Sequence, residues 1–313
     1  MDTKGKVIFK MNKKWTAFLM AAVTALTAAV TPVAAMADTV TSVVALGADL
    51  SDSQKSTVLN LLEVKSSDLT SSNTVTVTNA EEHQYLDGKI ASSYIGTRAL
   101  SSCKVTETKS GSGIKVTTHN INYVTDKMYE NALVTAGMSD ADVIVAAPTS
   151  ISGTAALVGA MKAYAVISGD TVSATEIDTA TDELVTTSQI ASDTGDSDKT
   201  TQLVAAVKQV VAEKNYTSES DITKVIKDVA DQLGITLSDA DIQALADVMQ
   251  KIAALNLDPD KLTEQVKSVY KAAVANGLDL SKYGITNDDV NGFFSKLSSV
   301  FQAIIDWIKG LTS

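Results

Sequence analysis

Apolar positions recur with a period of two in the first half of the chain and of three to four in the second, and the change divides the sequence. Residues 39–46 (TVTSVVAL) read as a strand ended by Gly47, and residues 74–78 (TVTVT) as a short alternating strand. Between them, the Ser51 hydroxyl can satisfy a free N–H of a first turn, which predicts a helix carrying Val58, Leu59, Leu61 and Leu62. Asn79 is expected to open the next helix, with Glu82 three residues on reaching back to it. Residues 102–108 and 114–118 pattern as a hairpin around Lys109–Gly113. Thr125 predicts a helix through Met128, Tyr129, Ala132, Leu133 and Val134, stopping at Gly137. The apolar run 142–147 (DVIVAA) suits a buried strand closed by Pro148, and a helix then begins near Ser152-Gly153-Thr154. The expected fold class is α+β, with a mixed α/β N-terminal domain and a small sheet over residues 38–168.

The composition then shifts. Residues 169–199 are rich in Thr, Asp and Ser and are expected to form a linker with a modest helix near 174–191 and a loop over 193–199. From Thr200 to the last residue, 313, no strand pattern remains, and an all-α domain of two αα-hairpins is expected. Gly234-Ile235-Thr236 recurs as Gly284-Ile285-Thr286, and each copy leads into a capped amphipathic helix: Ser238 with Asp241, and Thr286 with Asp289. Ser218 with Asp221, and Asp258 with Pro259, open the helices before them. The last helix bears one apolar face that includes Phe293, Phe294, Leu297 and Phe301. That face packs into the bundle or joins a second copy or a partner.

The N-terminus stands apart. Five lysines up to Lys14 precede an uncharged apolar run, Trp15–Val30, and Ala35-Met36-Ala37 is a small-residue cleavage pattern. Residues 1–37 therefore read as a secretory signal peptide cleaved near Ala37, the alternative being a retained anchor. Without them, 21 basic and 36 acidic residues remain, a net charge of −15. Such a surface repels nucleic acid, which needs a basic footprint. The chain is expected to be secreted or held non-covalently at the cell surface, with no transmembrane helix after cleavage. A single cysteine, Cys103, rules out an internal disulfide and fits a Gram-positive source.

Candidate chemistry is sparse. Cys103 and His119 come close in the predicted hairpin, but its register turns them to opposite faces, so they do not form a nucleophile–base pair. His83, in Glu81-Glu82-His83, lacks a second histidine one turn on, and no metal or cofactor is expected there. The acidic run 193–198 departs from a calcium loop. No nucleophile elbow, P-loop or dinucleotide fingerprint is present. Two features point to a ligand. One is the turn containing Ser150, Ser152, Gly153 and Thr154, whose backbone N–H groups could hold an anion or carboxylate unless Ser152 simply caps the helix. The other is Arg98, the sole arginine of the chain, which marks a bidentate ligand contact or an internal clamp. No catalytic set is assigned. The expected function is non-catalytic binding of a protein, peptide or wall polymer of the cell envelope. The alternatives are an envelope hydrolase using His83 or His119 with nearby acids, and a structural protein self-associating through its last helix.

The segments IGTRALSS (95–102), GSGIKVTTHNINYVTDKMYENALVTAG (111–137) and SGTAALVGAMKAYA (152–165) resemble the DUF1002 family of exported Firmicutes proteins, and ELVTTSQIA (183–191) extends the likeness. The resemblance implies export and a Gram-positive source. The family name declares an unknown function, so no site residue follows from it.

Overall fold

The computed structural model describes residues 41–169, 172–258 and 262. Five strands, β1 (Ser42–Gly47), β2 (Thr74–Val77), β3 (Ser102–Glu107), β4 (Ile114–Ile121) and β5 (Ala141–Ile151), form one sheet in the order β2-β1-β3-β5-β4. Among the described residues the α-helices are α1 (Asp52–Leu61), α2 (Asn79–Leu86), α3 (Ser92–Ile95), α4 (Asp126–Thr135), α5 (Thr154–Ser168), α6 (Ala174–Thr194), α7 (Ser197–Lys214), α8 (Glu219–Leu233) and α9 (Asp239–Ala254). The architecture is α+β: a mixed sheet first, then helices.

Strands β1 and β2 are parallel, as are β4 and β5, while β3 runs antiparallel to both of its neighbours. Parallel partners need a crossover, and α1 and α4 supply it. The two crossovers cover opposite faces. Val43 and Ala45 of β1 join a core with Met128, Tyr129 and Leu133 of α4 and Leu157 and Met161 of α5. Val44 and Leu46 pack instead on Val58, Leu59 and Leu62, around α1. Burial on both faces is why β1 reads as a nearly continuous apolar run.

The expected hairpin of 102–108 with 114–118 does not form, because β5 lies between its two arms. Val143 pairs with Val105 on one side and Val116 on the other. A strand apolar on both faces is best buried in the sheet interior, so β5 displaces the local pairing. Asp140 fixes the insertion: its carbonyl accepts from the Thr108 N–H and its carboxylate from the Gly113 N–H. Cys103 and Thr118 both stand opposite Val145, whereas His119 stands opposite Ala146. Cys103 and His119 thus lie on opposite faces through β5 rather than through a hairpin.

Pro148 does not end β5, which continues to Ile151. Pairing to β3 stops at Ala146, and pairing to β4 shifts register between His119 and Ile121, around Asn120 at φ 60°. A residue without an N–H is tolerated where the ladder is already interrupted.

Between residues 169 and 199 the chain holds a well-buried helix of 21 residues, α6, rather than a modest one in a linker. Its Ala180 and Leu184 join the sheet-side core, and Ile190 joins a second core with α7, α8 and α9. The acidic run is a helix junction, in which Gly195 ends α6 and the Asp196 carboxylate caps α7 at Lys199 N. Ser218 and Ser238 cap α8 and α9 as their spacing predicts. The second αα-hairpin and the apolar face with Phe293, Phe294, Leu297 and Phe301 lie outside the described residues. Among the described residues, no helix is long and apolar enough to cross a membrane.

A buried ion pair ties α4, α6 and α7 together. Lys208 Nζ donates to Glu183 Oε1 at 2.8 Å, to the Asn131 carbonyl at 2.8 Å and to Thr135 Oγ1 at 3.1 Å. Thr135 Oγ1 in turn donates to the other Glu183 oxygen. Both charged side chains are fully buried. All three ammonium protons are therefore used, as a buried lysine requires.

Candidate functional site

The site begins with the cap of α2. Thr78, not Asn79, is the N-cap: its hydroxyl accepts from Glu81 N, and the Glu81 side chain returns to Thr78 N. Glu81 also pairs with Lys162 of α5 at 2.6 Å. The shift by one residue relieves Glu82 of the capping role expected for it and turns its side chain inward, where it is 1% exposed. Glu82 Oε1 accepts from Thr154 Oγ1 at 2.8 Å, and Oε2 accepts from Asn79 Nδ2 at 3.3 Å. Burial pushes its carboxyl up to about 7 against the pull of those two bonds. The raised value means that Glu82 favours the fold most below the ordinary carboxylate range, and that this contribution is lost as pH rises through about 7.

His83, the next residue, faces the segment that follows α3. Its Nδ1 meets Asp87 Oδ1 at 2.7 Å and its Nε2 meets the Gly96 carbonyl at 3.1 Å. The Asp87 carboxylate first, and the carbonyl second, hold the imidazole above its usual range. Asn79 Nδ2 reaches the same carbonyl at 3.5 Å. Gly96 sits at φ 72°, a left-handed conformation that glycine adopts without steric cost, and it ends α3 by aiming its carbonyl at α2. Ala99 N–H is anchored on Asp49 at 2.8 Å. The stretch 96–101 is thereby pinned from both sides and presents Arg98 outward.

The opposite wall comes from the end of β5 and the start of α5. Ser152 does not cap α5. The N-cap is Gly153, in the left-handed region, and Ser152 Oγ donates instead to the Tyr94 carbonyl at 2.6 Å. Ser101 Oγ accepts from Ala156 N in the first turn, at 3.0 Å. The Gly153 carbonyl accepts from the buried Tyr129 hydroxyl at 2.5 Å. Tyr94 stacks on Tyr123 with ring centroids 4.1 Å apart and planes inclined by 24°.

These walls enclose a cleft of about 390 Å³. Arg98, Ser152 and Thr154 line it together with Glu82, Tyr94 and Asn122. Ser150 lies in β5, exposed and outside the cleft, and Gly153 stands behind the lining between Ser152 and Thr154. Arg98 is exposed and makes no hydrogen bond or ion pair within the described residues, so no internal clamp uses it there. Sequence reasoning missed Glu82 as a lining residue. The signal was the choice of two adjacent caps, Thr78 or Asn79, since the first leaves Glu82 with no capping work.

Neither histidine is hydrogen-bonded to a Ser, Thr or Cys side chain among the described residues. No group of three or more His, Cys, Asp or Glu side chains is placed there to hold a metal ion. Cys103 is fully buried, and burial pushes its thiol up to about 12. A thiol reagent such as DTNB should leave the native protein unmodified and react fully once the protein is unfolded in denaturant; rapid native labelling would contradict the buried position.

Residues 46–269 match the family described as "Protein of unknown function (DUF1002)". The chain is 38% identical over 301 residues to the "Uncharacterized protein YpuA" of Bacillus subtilis (strain 168), an alignment that covers 94% of this chain and 97% of the relative. No solved structure matches. The chain belongs to the DUF1002 family.

Proposed function

We propose that this is an exported protein of the cell envelope or its surroundings that binds a protein, peptide or wall polymer without chemically altering it. The cleft between α2, α3 and the start of α5 is the binding site. The observation that carries the reading is Arg98, whose guanidinium has no partner among the described residues and stands at the edge of a concave, mixed polar and aromatic cleft. A pinned cleft with a cation at its edge is suited to recognition, because its donors are already placed before a ligand arrives. The hydrolase reading has less support. A base must hold a free lone pair within reach of the proton it removes, and His83 has both ring nitrogens engaged.

The test incubates the purified protein with isolated cell-wall fragments and follows both retention and fragment mass. The reading predicts saturable retention, weakened about tenfold or more by Arg98→Gln, with the fragments recovered intact. Release of products by the wild type that is lost on His83→Ala or His119→Ala would replace the binding reading by the hydrolase one. Export is read separately: the protein recovered from the culture fluid or envelope should begin at Asp38.

A further inference from the structure

Resting on the reading of the cleft as a binding site, we propose that its ligand presents a carboxylate, held by Arg98 at the edge and by Glu82 as a neutral hydrogen-bond donor in the wall. Two observations converge on this chemistry. Arg98 offers five N–H donors in a planar fork, and within the described residues none is spent. A carboxylate matches that fork bidentately, the geometry in which arginine binds most strongly. Glu82 faces the same cleft from a buried position, and its two oxygens already accept from Thr154 and Asn79. When protonated, Glu82 gains an O–H, which a carboxylate oxygen of the ligand can accept.

The charges around Glu82 set the sign of a linked proton. On its own helix, Glu81 is spent on Lys162 of α5, and His83 is spent on Asp87. Asp49, from the loop after β1, adds a negative charge that disfavours ionised Glu82, and His83 opposes it. Thr154, the α5 residue that meets Glu82, is neutral, and Arg98 is a cation of the lining without a partner among the described residues. A ligand carboxylate brings a second negative charge beside Glu82, so the complex keeps Glu82 protonated. Binding then draws on the protonated fraction alone, and the apparent affinity falls as pH rises through about 7. A cationic ligand group would give the opposite slope.

Two acid/amide pairs serve as probes in titration calorimetry with the purified full chain. N-acetyl-alanyl-alanine against its C-terminal amide represents a peptide terminus. Methyl glucuronide against its carboxamide represents an acidic sugar. The inference predicts that one of the acids binds saturably, and which one does so identifies the source. Its amide binds about tenfold or more weakly, as does the acid to Arg98→Gln. Between about pH 6 and about pH 8 the wild-type Kd should rise about tenfold, and Glu82→Gln should flatten that slope. Titration of the wild type in buffers of different ionisation enthalpy should show net proton uptake near pH 8, which needs no variant to fold. Equal binding of acid and amide, a Kd that falls as pH rises, or no binding of either acid at millimolar concentration overturns the inference. If wall fragments are still retained through Arg98, the carboxylate assignment alone has failed; if they are not, the binding reading fails with it.

Discussion

Lys208→Ala is expected to cost about 3–5 kcal/mol of stability, because it removes one member of a fully buried ion pair and leaves the other charged. The Lys208 ammonium is held by Glu183, Thr135 and the Asn131 carbonyl, and no water-facing route remains for Glu183. Burial holds the Lys208 ammonium below its usual range and the Glu183 carboxylate opposes that shift, so the ammonium depends on its partner to stay charged in the interior. The double variant Lys208→Met/Glu183→Leu replaces the pair by apolar groups of similar volume and should recover most of the loss. Urea unfolding of the three proteins is the measurement. A single-variant loss below about 1 kcal/mol would mean that Glu183 finds water or another partner in the native state. Since the network joins α4, which crosses over from β4 to β5, to α6 and α7, the single variant should also loosen the α4 packing against the sheet.

Gly153→Ala is expected to destabilise by about 2–5 kcal/mol, the sum of left-handed backbone strain and overpacking. Gly153 sits at φ 98°, and a Cβ there would lie 2.5 Å from the Tyr129 hydroxyl and 2.8 Å from Ile121 Cγ2. Tyr129 cannot swing clear, since it is fully buried and hydrogen-bonded to the Gly153 carbonyl itself. Tyr129→Phe removes the nearer contact and the hydrogen bond together. The double variant Tyr129→Phe/Gly153→Ala should therefore cost less than the two single changes added, and additive losses in thermal unfolding would contradict the contact. Ligand affinity should fall in Gly153→Ala as well, because Ser152 and Thr154 in the cleft wall flank the displaced residue.

The capping positions were legible from the sequence because they are local. Ser51, Thr125, Ser218 and Ser238 each satisfy an N–H within three residues, and the structure uses all four. The hairpin was not legible, because what prevents it is β5, some twenty residues further along the chain, and no short-range rule shows a later strand inserting between two earlier ones. The same limit applies to Lys208: a charge inside LVAAVKQVVA signals a buried partner, but not that Glu183 and Thr135 supply it. In the cleft, Arg98 stood out by its rarity, and the hydroxyls near Gly153 by their position before a helix. Glu82 was hidden by a one-residue ambiguity, since Thr78 and Asn79 are both good caps and only the fold chooses between them. The stacking of Tyr94 on Tyr123 joins α3 to the chain just after β4, another long-range meeting that periodicity does not encode.

The central claim is that the cleft carrying Arg98 is where this protein meets its ligand. Amide chemical-shift mapping of the labelled protein, titrated with solubilised wall fragments, tests it most directly. Saturable shifts should gather at residues 93–101, Asn122 and 151–154 in the wild type, and should collapse in Arg98→Gln. Shifts that gather instead on α8 and α9, or that persist unchanged in Arg98→Gln, would contradict it.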